Sequence, residues 1–253
     1  MKAEQKTPVA DEEQQPLIAH LMELRQRLMY CLVAVLLVFV ALCPFANQLY
    51  SQVAAPLIDH LAPGNQMIAT EVAATFIIPI KMVFYFSLFI VMPYLLYQIW
   101  AFIAPGLYET ERRFALPLLV VSIMLFYIGV AFAFFIVFPL LFAFFTSVAP
   151  EGVAVMTDIS RYLDFILKLF LSFGLAFEVP VATLLLLRTG VTTVASLRRN
   201  RPYIIVSAFI LGMLLTPPDV VSQFLLAMPL WLLFELGLLL GYKYAATDGA
   251  AEE

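Results

Sequence analysis

Long uncharged runs alternate with short polar segments along the whole chain, and the run lengths match helices that cross a membrane. Such a helix needs ~20 mainly apolar residues to span ~30 Å of hydrocarbon. The first run opens after Arg27, and residues 28–42 form the body of span one, ahead of Pro44. Residues 45–75 carry Asn47, Gln48, Asp59, Pro63, Gly64, Asn65 and Glu71, and read as a polar loop with short amphipathic stretches. Span two is expected over 76–103, with Pro79 and Pro93 inside it and Pro105-Gly106 as its stop. Span three is expected over 114–146 and span four over 162–187. Pro202 opens span five, Pro217-Pro218 closes it, and span six covers 220–241. The fold class is therefore all-α: a polytopic membrane protein of six helices, with the fifth and sixth short.

The spans differ in length, and the differences carry information. Residues 114–150 contain no charge and would extend ~55 Å as one straight helix, so span three must tilt, kink or project, with Pro139 a candidate for the kink. Span five has only 14 residues, Tyr203 to Thr216, between its prolines. Its ~21 Å falls short of the hydrocarbon by ~9 Å, which calls for a thinned bilayer or shelter behind longer helices. No period of 20–50 residues repeats, and no Gly/Ser linker divides the chain. The expectation is one integral membrane domain over 1–253, with a six-helix core at 17–243 between short tails at 1–16 and 244–253.

Composition agrees with the pattern. The 253 residues are 63% hydrophobic and 13% charged, against roughly 45–50% and about 25% in soluble domains. A water-soluble globule of this size could not bury so much apolar surface. Cys31 and Cys43 lie ~18 Å apart along one helix, too far to bridge, and no His/Cys spacing suggests a metal site. No cofactor is expected. Without a basic stripe, nucleic acid is excluded as a partner. The acidic, polar start (Lys2, Glu4, Lys6, Asp11, Glu12, Glu13) is unlike a signal peptide, so no cleavage is expected.

Charge placement orients the bundle. Lys2, Lys6, Arg25, Arg27, Arg112, Arg113, Arg188, Arg198, Arg199, Arg201 and Lys243 fall on one side of a six-span path, leaving only Lys81, Arg161 and Lys168 on the other. Cationic loops stay inside, so both termini are expected to face the cytoplasm.

Ionisable residues at membrane depth are costly and point to function. Glu178 lies near the middle of span four, in Phe177-Glu178-Val179-Pro180, where Pro180 frees the carbonyl of Ala176. It forms either a wet, partner-facing site or a protonated carboxyl bonded to a neighbouring helix. Glu235 sits nearer the cytoplasmic end, where snorkelling is easier, and Lys168 can reach the outer interface. Near the outer face, Met213, Thr216 and Gln223 cluster around Thr216-Pro217-Pro218-Asp219. That turn is either a plain helix stop with Asp219 as a cap or a site for another transmembrane helix. On the cytoplasmic side, Glu23 lies in His20-Leu21-Met22-Glu23-Leu24-Arg25, and Glu111 in Glu109-Thr110-Glu111-Arg112-Arg113. Read on physics alone, these are interfacial anchors and first-turn acids favoured by the helix dipole. No metalloprotease, serine-hydrolase or P-loop motif is present, so the chain does not read as an enzyme.

Taken together and in order, these fragments resemble the TatC family, the large multi-span receptor subunit of the twin-arginine protein translocase. The likeness runs from Pro16 to Gly241 through His20–Arg25, Trp100–Leu107, Glu111-Arg112-Arg113, Phe177–Pro180 and Leu215–Asp219. It implies a concave six-helix receptor in the bacterial inner membrane that recognises twin-arginine signal peptides on folded precursors. It further implies transport driven by the proton-motive force, single-span partners of the TatA and TatB types, and self-association in a larger complex. By position, Glu23 and Glu111 would bind the signal arginines with Phe102 beside them, Glu178 would sit in the membrane cavity, and Met213, Thr216 and Gln223 would meet a partner helix. Two other classes fit parts of the chain. A proton-coupled secondary transporter would use a mid-membrane Glu at a helix break, although no inverted repeat is visible. A structural membrane scaffold would need none of these residues.

Overall fold

The computed structural model describes residues 9–60, 73–103, 115–147, 158–215 and 220–249, and helix dominates all of them. Helix α1 spans Val9–Leu42 and passes through a 3-10 turn, Cys43–Phe45, into α2, Ala46–His60. The chain therefore stays helical on both sides of Pro44, where the sequence suggested a stop and then a loop. Pro44 sits in the first turn of the 3-10 segment, a position that needs no backbone N–H, so the proline tightens the helix without ending it. The polar residues before Leu28 are helical as well, because hydropathy marks where the bilayer lies and not where the helix begins.

Helix α3, Ala74–Ile103, carries Pro79 and Pro93 internally. The third span is α4, Ala115–Phe132, a π-helical turn Ala133–Val137, and α5, Phe138–Ser147. The Phe138 N–H donates to the Ala133 carbonyl five residues back. Pro139 explains this: it has no N–H, and its ring would press on the carbonyl four residues earlier, so the preceding turn widens. The helix is thus interrupted near the candidate Pro139 by a π-turn that ends two residues before it.

Span four is broken into α6, Ile159–Ala176, and α7, Val179–Arg188. Asp158 caps α6, its Oδ1 accepting from the N–H groups of Ser160 at 2.8 Å and Arg161 at 3.1 Å. Gly190, at φ +69°, turns the chain beyond α7 in the left-handed region that glycine adopts without penalty. A short helix, α8, Val194–Arg199, leads into α9, Arg201–Leu215, and α10, Val220–Gly249. Among the described residues, five helices are long and apolar enough to cross a membrane, and α9 is the shorter sixth. The apolar part of α10 is 20 residues, Gln223–Tyr242, and the helix continues past the expected end at Gly241.

Packing is inverted relative to a soluble protein. Leu28, Leu32, Leu36, Val40, Leu116, Phe135, Leu214 and Leu239 are all more than half exposed, as helices surrounded by hydrocarbon should be. Helix α3 is the axis, touching α1, α2, α4 and α6. One buried cluster joins its N-terminal half to α6 through Ile78, Met82, Tyr162, Leu163 and Ile166. Another joins its C-terminal half to α4 and α7 through Met92, Leu96, Trp100, Phe126 and Val181. The π-turn contributes Ala133 and Val137 to a third, with Phe173 of α6 and Leu226 of α10.

Lipid tails are as apolar as leucine, so helices in a membrane gain association energy from close backbone approach. Gly129 of α4 and Gly174 of α6 supply that approach reciprocally. A Cβ at Gly129 would lie 2.5 Å from the Phe173 carbonyl oxygen, and one at Gly174 would lie 2.5 Å from the Phe126 ring. Gly129→Val should lower the stability of the detergent-solubilised protein by about 1–3 kcal/mol through overpacking, read as a fall in the unfolding midpoint. Gly241→Ala, which meets only the Leu187 side chain, should shift that midpoint much less.

Candidate functional site

The opening turns of span one lie beside the last turn of α3. The His20 ring stacks on Phe102 with centroids 4.2 Å apart and planes 20° apart. One turn along α1, Glu23 Oε1 accepts from Arg27 Nη2 at 2.6 Å and from Arg27 Nε at 2.9 Å. Arg27 Nη1 donates to Gln98 Oε1 at 3.0 Å, and Gln98 Nε2 donates to the Tyr94 hydroxyl at 2.7 Å. His20, Glu23 and Arg27 share a helical face because their spacing is three and four residues, and that face meets Tyr94, Gln98 and Phe102. The structure therefore brings Glu23 and Phe102 onto one seam. Glu111 lies outside the described residues. Arg27 and Gln98 were not among the residues singled out from sequence, although a lone amide in the apolar run from Tyr94 to Trp100 was a visible signal.

The second site is the break in span four. Without a Pro180 N–H, the Ala176 carbonyl loses its helical donor, and the ladder stops at Phe177 N–H to Phe173 O and Glu178 N–H to Leu175 O. Glu178 occupies the corner and is the residue before α7, without capping it through its side chain. Ser122 of α4 is a neighbour of the carboxyl, and Glu178 Oε1 is buried with no hydrogen-bond partner. Ser122 also accepts from Trp100 Nε1 at 3.3 Å. Trp100, Ser122 and Glu178 thus place polar groups in an otherwise apolar contact of α3, α4 and α7. Both readings of Glu178 stay open: a neighbouring-helix hydroxyl stands near, and one carboxyl oxygen is buried without a partner.

At the opposite end of the bundle, Gln223 Nε2 of α10 donates to the Phe209 carbonyl of α9 at 2.9 Å. Gln223 therefore staples the hairpin, close against Gly212. Met213 is exposed on its flank, and Thr216 lies outside the described residues. Ion pairs also join helices. Lys81 of α3 reaches Asp164 of α6 at 2.9 Å, and Arg201 of α9 reaches Glu235 of α10 at 2.6 Å. The second pair gives Glu235 a structural partner. Arg161 and Lys168 are exposed. Among the described residues no group of three or more His, Cys, Asp or Glu could hold a metal ion. The chemistry available is recognition of cations by carboxylates and aromatic rings, together with polar contacts between helices.

Residues 19–229 match the family described as Sec-independent protein translocase protein (TatC). The chain is 60% identical to the Sec-independent protein translocase protein TatC of Haemophilus influenzae over 94% of its length and 93% of that protein's. It is 54% identical to the TatC protein of Escherichia coli K12, over 96% of this chain and 94% of the other. Its fold matches a crystal structure described as the twin arginine translocase receptor TatC with a TM-score of 0.81 and 37% identity, covering 88% of this chain and 98% of that one. The chain is a membrane-embedded member of the TatC family of Sec-independent protein translocase proteins.

Proposed function

We propose that this chain is the receptor subunit of a twin-arginine translocase, binding signal peptides of folded precursors and nucleating an assembly driven by the proton-motive force. The observation that carries the reading is the seam of α1 and α3, where a half-exposed carboxylate, Glu23, stands one turn from the stacked His20 and Phe102 rings. A guanidinium pairs with carboxylates through directed hydrogen bonds and also packs on aromatic faces. In this reading Glu23 and Glu111 take the arginines and Phe102 lines their path. Names given to the relatives, translocase protein and receptor, support the same assignment.

The test is a titration of the purified full-length protein with an arginine-pair signal peptide and its lysine-pair twin. Losing one carboxylate of a desolvated pair costs ~2–5 kcal/mol, and a solvated pair costs far less. Glu23→Ala and Glu111→Ala should each weaken arginine-peptide binding, and Glu109→Ala should not. Binding at parental affinity by both variants would place the receptor site elsewhere.

Glu178 is assigned to the membrane cavity as a carboxyl whose working form is uncharged, since an apolar surrounding disfavours the ionised state. Transport assays should find Glu178→Gln better tolerated than Glu178→Lys. Equal loss from the two would instead assign the function to the charge.

The eleven-to-three split of Lys and Arg supports an orientation with both termini in the cytoplasm of a bacterial inner membrane. Met213, Thr216 and Gln223 are assigned to a single-span partner of the TatA or TatB type, and further copies of the chain to the larger complex. Introduced cysteines check both assignments. Those at positions 60, 155 and 219 should be labelled from outside, and those at 8, 110 and 195 from inside. Cysteines at 213, 216 and 223 should crosslink to a partner helix in membranes, while those on the outer half of span one should not. A loop labelled from the wrong side overturns the map, and active protein without crosslinks at the three hairpin positions returns them to a structural role.

A further inference from the structure

We propose that Arg27 is a positioning and specificity-determining residue: by occupying one oxygen of Glu23 and cancelling its charge, it makes the site select arginine over lysine. The inference rests on Glu23 being a signal-arginine acceptor.

Three nitrogens of the Arg27 guanidinium are engaged. Nε and Nη2 both donate to Glu23 Oε1, and Nη1 donates to Gln98, which is braced by the Tyr94 hydroxyl. The Arg27 side chain is 24% exposed and that of Glu23 37%, so the pair sits at the edge of the α1–α3 contact with the carboxylate on the more open side. Two N–H donors fill the acceptor capacity of Oε1. No described residue donates to Oε2, which is left to accept from a ligand.

The consequence is a separation of charge from direction. A lysine ammonium is a compact, strongly hydrated point charge, and its attraction to a site depends chiefly on the net local charge. Arg27 and Glu23 sum to zero, so the attraction that Glu23 would exert is largely cancelled. A guanidinium is more weakly hydrated and can present two N–H groups to a single oxygen, as Arg27 itself does to Oε1. It therefore keeps its directed bonds to Oε2 where an ammonium loses most of its advantage. Arg27 is the repulsive element that discrimination needs alongside the attractive one, and its anchoring by Gln98 keeps a signal arginine from simply displacing it.

The experiment compares arginine-pair and lysine-pair peptides, otherwise identical, binding to the purified full-length protein. Arg27→Gln should reduce the arginine-over-lysine preference by about five- to ten-fold, mainly because the lysine peptide binds better once the Glu23 charge is uncompensated. Arg27→Lys, which keeps the cancelling charge, should preserve most of the preference. Gln98→Leu, which removes the Nη1 anchor and leaves both charged groups in place, should reduce the preference by a smaller factor and provides a second route if Arg27→Gln does not fold. In a Glu23→Ala background, Arg27→Gln should no longer lower the preference. An unchanged preference in folded Arg27→Gln or Gln98→Leu protein, with Glu23→Ala still weakening arginine-peptide binding, overturns the assignment of Arg27 alone. Parental binding by Glu23→Ala overturns the acceptor role and the inference with it.

Discussion

In hydrocarbon, a backbone N–H or C=O that loses its helical partner finds no water, and the cost of leaving it unpaired is several kcal/mol. This constraint shapes the fold at each helix interruption. Pro44 is absorbed where a helix turn begins and lacks nothing. Pro139 is absorbed by a wider turn, which keeps the Phe138 N–H bonded to Ala133. Pro180 is not absorbed: the helix stops, the ladder ends at Leu175 and Phe173, and Glu178 stands at the opening. Of these three proline positions, only the last has a carboxyl at its corner.

Close packing and polar contacts then take over the task that burial performs in soluble proteins. Gly129 and Gly174 let α4 and α6 meet almost at backbone distance, and the Gln223 amide closes α9 onto α10. The last turns of α3 serve two sites at once. Gln98 holds Arg27 beside Glu23, and two residues on Trp100 reaches Ser122 beside Glu178. A helix turn committed on both sides has little freedom to rotate, so the Glu23–Arg27 seam and the Glu178 break share one rigid support.

The spans were legible in the sequence because hydrocarbon thickness imposes run length directly, and the break at Glu178 was legible because proline chemistry is local. Helix ends were less so. The polar stretch from Val9 to Arg27 stays helical because backbone hydrogen bonding, not hydropathy, sets the helix boundary. The partners of the key acids were the least visible. Ser122 is one small hydroxyl in an apolar run, and Asp164 becomes meaningful only when α6 meets Lys81 of α3, 83 positions earlier. Such pairings belong to tertiary contact, which periodicity does not encode. Glu23 and Phe102 did fall together, since both lie within a turn of a span's end and those ends are adjacent.

The arginine-rich end of the bundle poses an electrostatic problem for a receptor of arginines, and internal pairing answers much of it. Screening limits exposed charges to about 8 Å at physiological salt, so a ligand responds to the groups beside it and not to the sum over the loops. Arg201 is spent on Glu235, Arg27 on Glu23, and Arg198 lies over the Tyr242 ring at 5.5 Å. Each of these cations has a local partner, which flattens the repulsive field the sequence count suggests. The same pairing also spends half of Glu23. What remains at the α1–α3 seam is a nearly neutral patch carrying one directed acceptor and a pair of stacked rings. Long-range attraction contributes little to such a patch, so affinity there depends on hydrogen-bond geometry and ring contact, the two properties in which a guanidinium differs most from an ammonium.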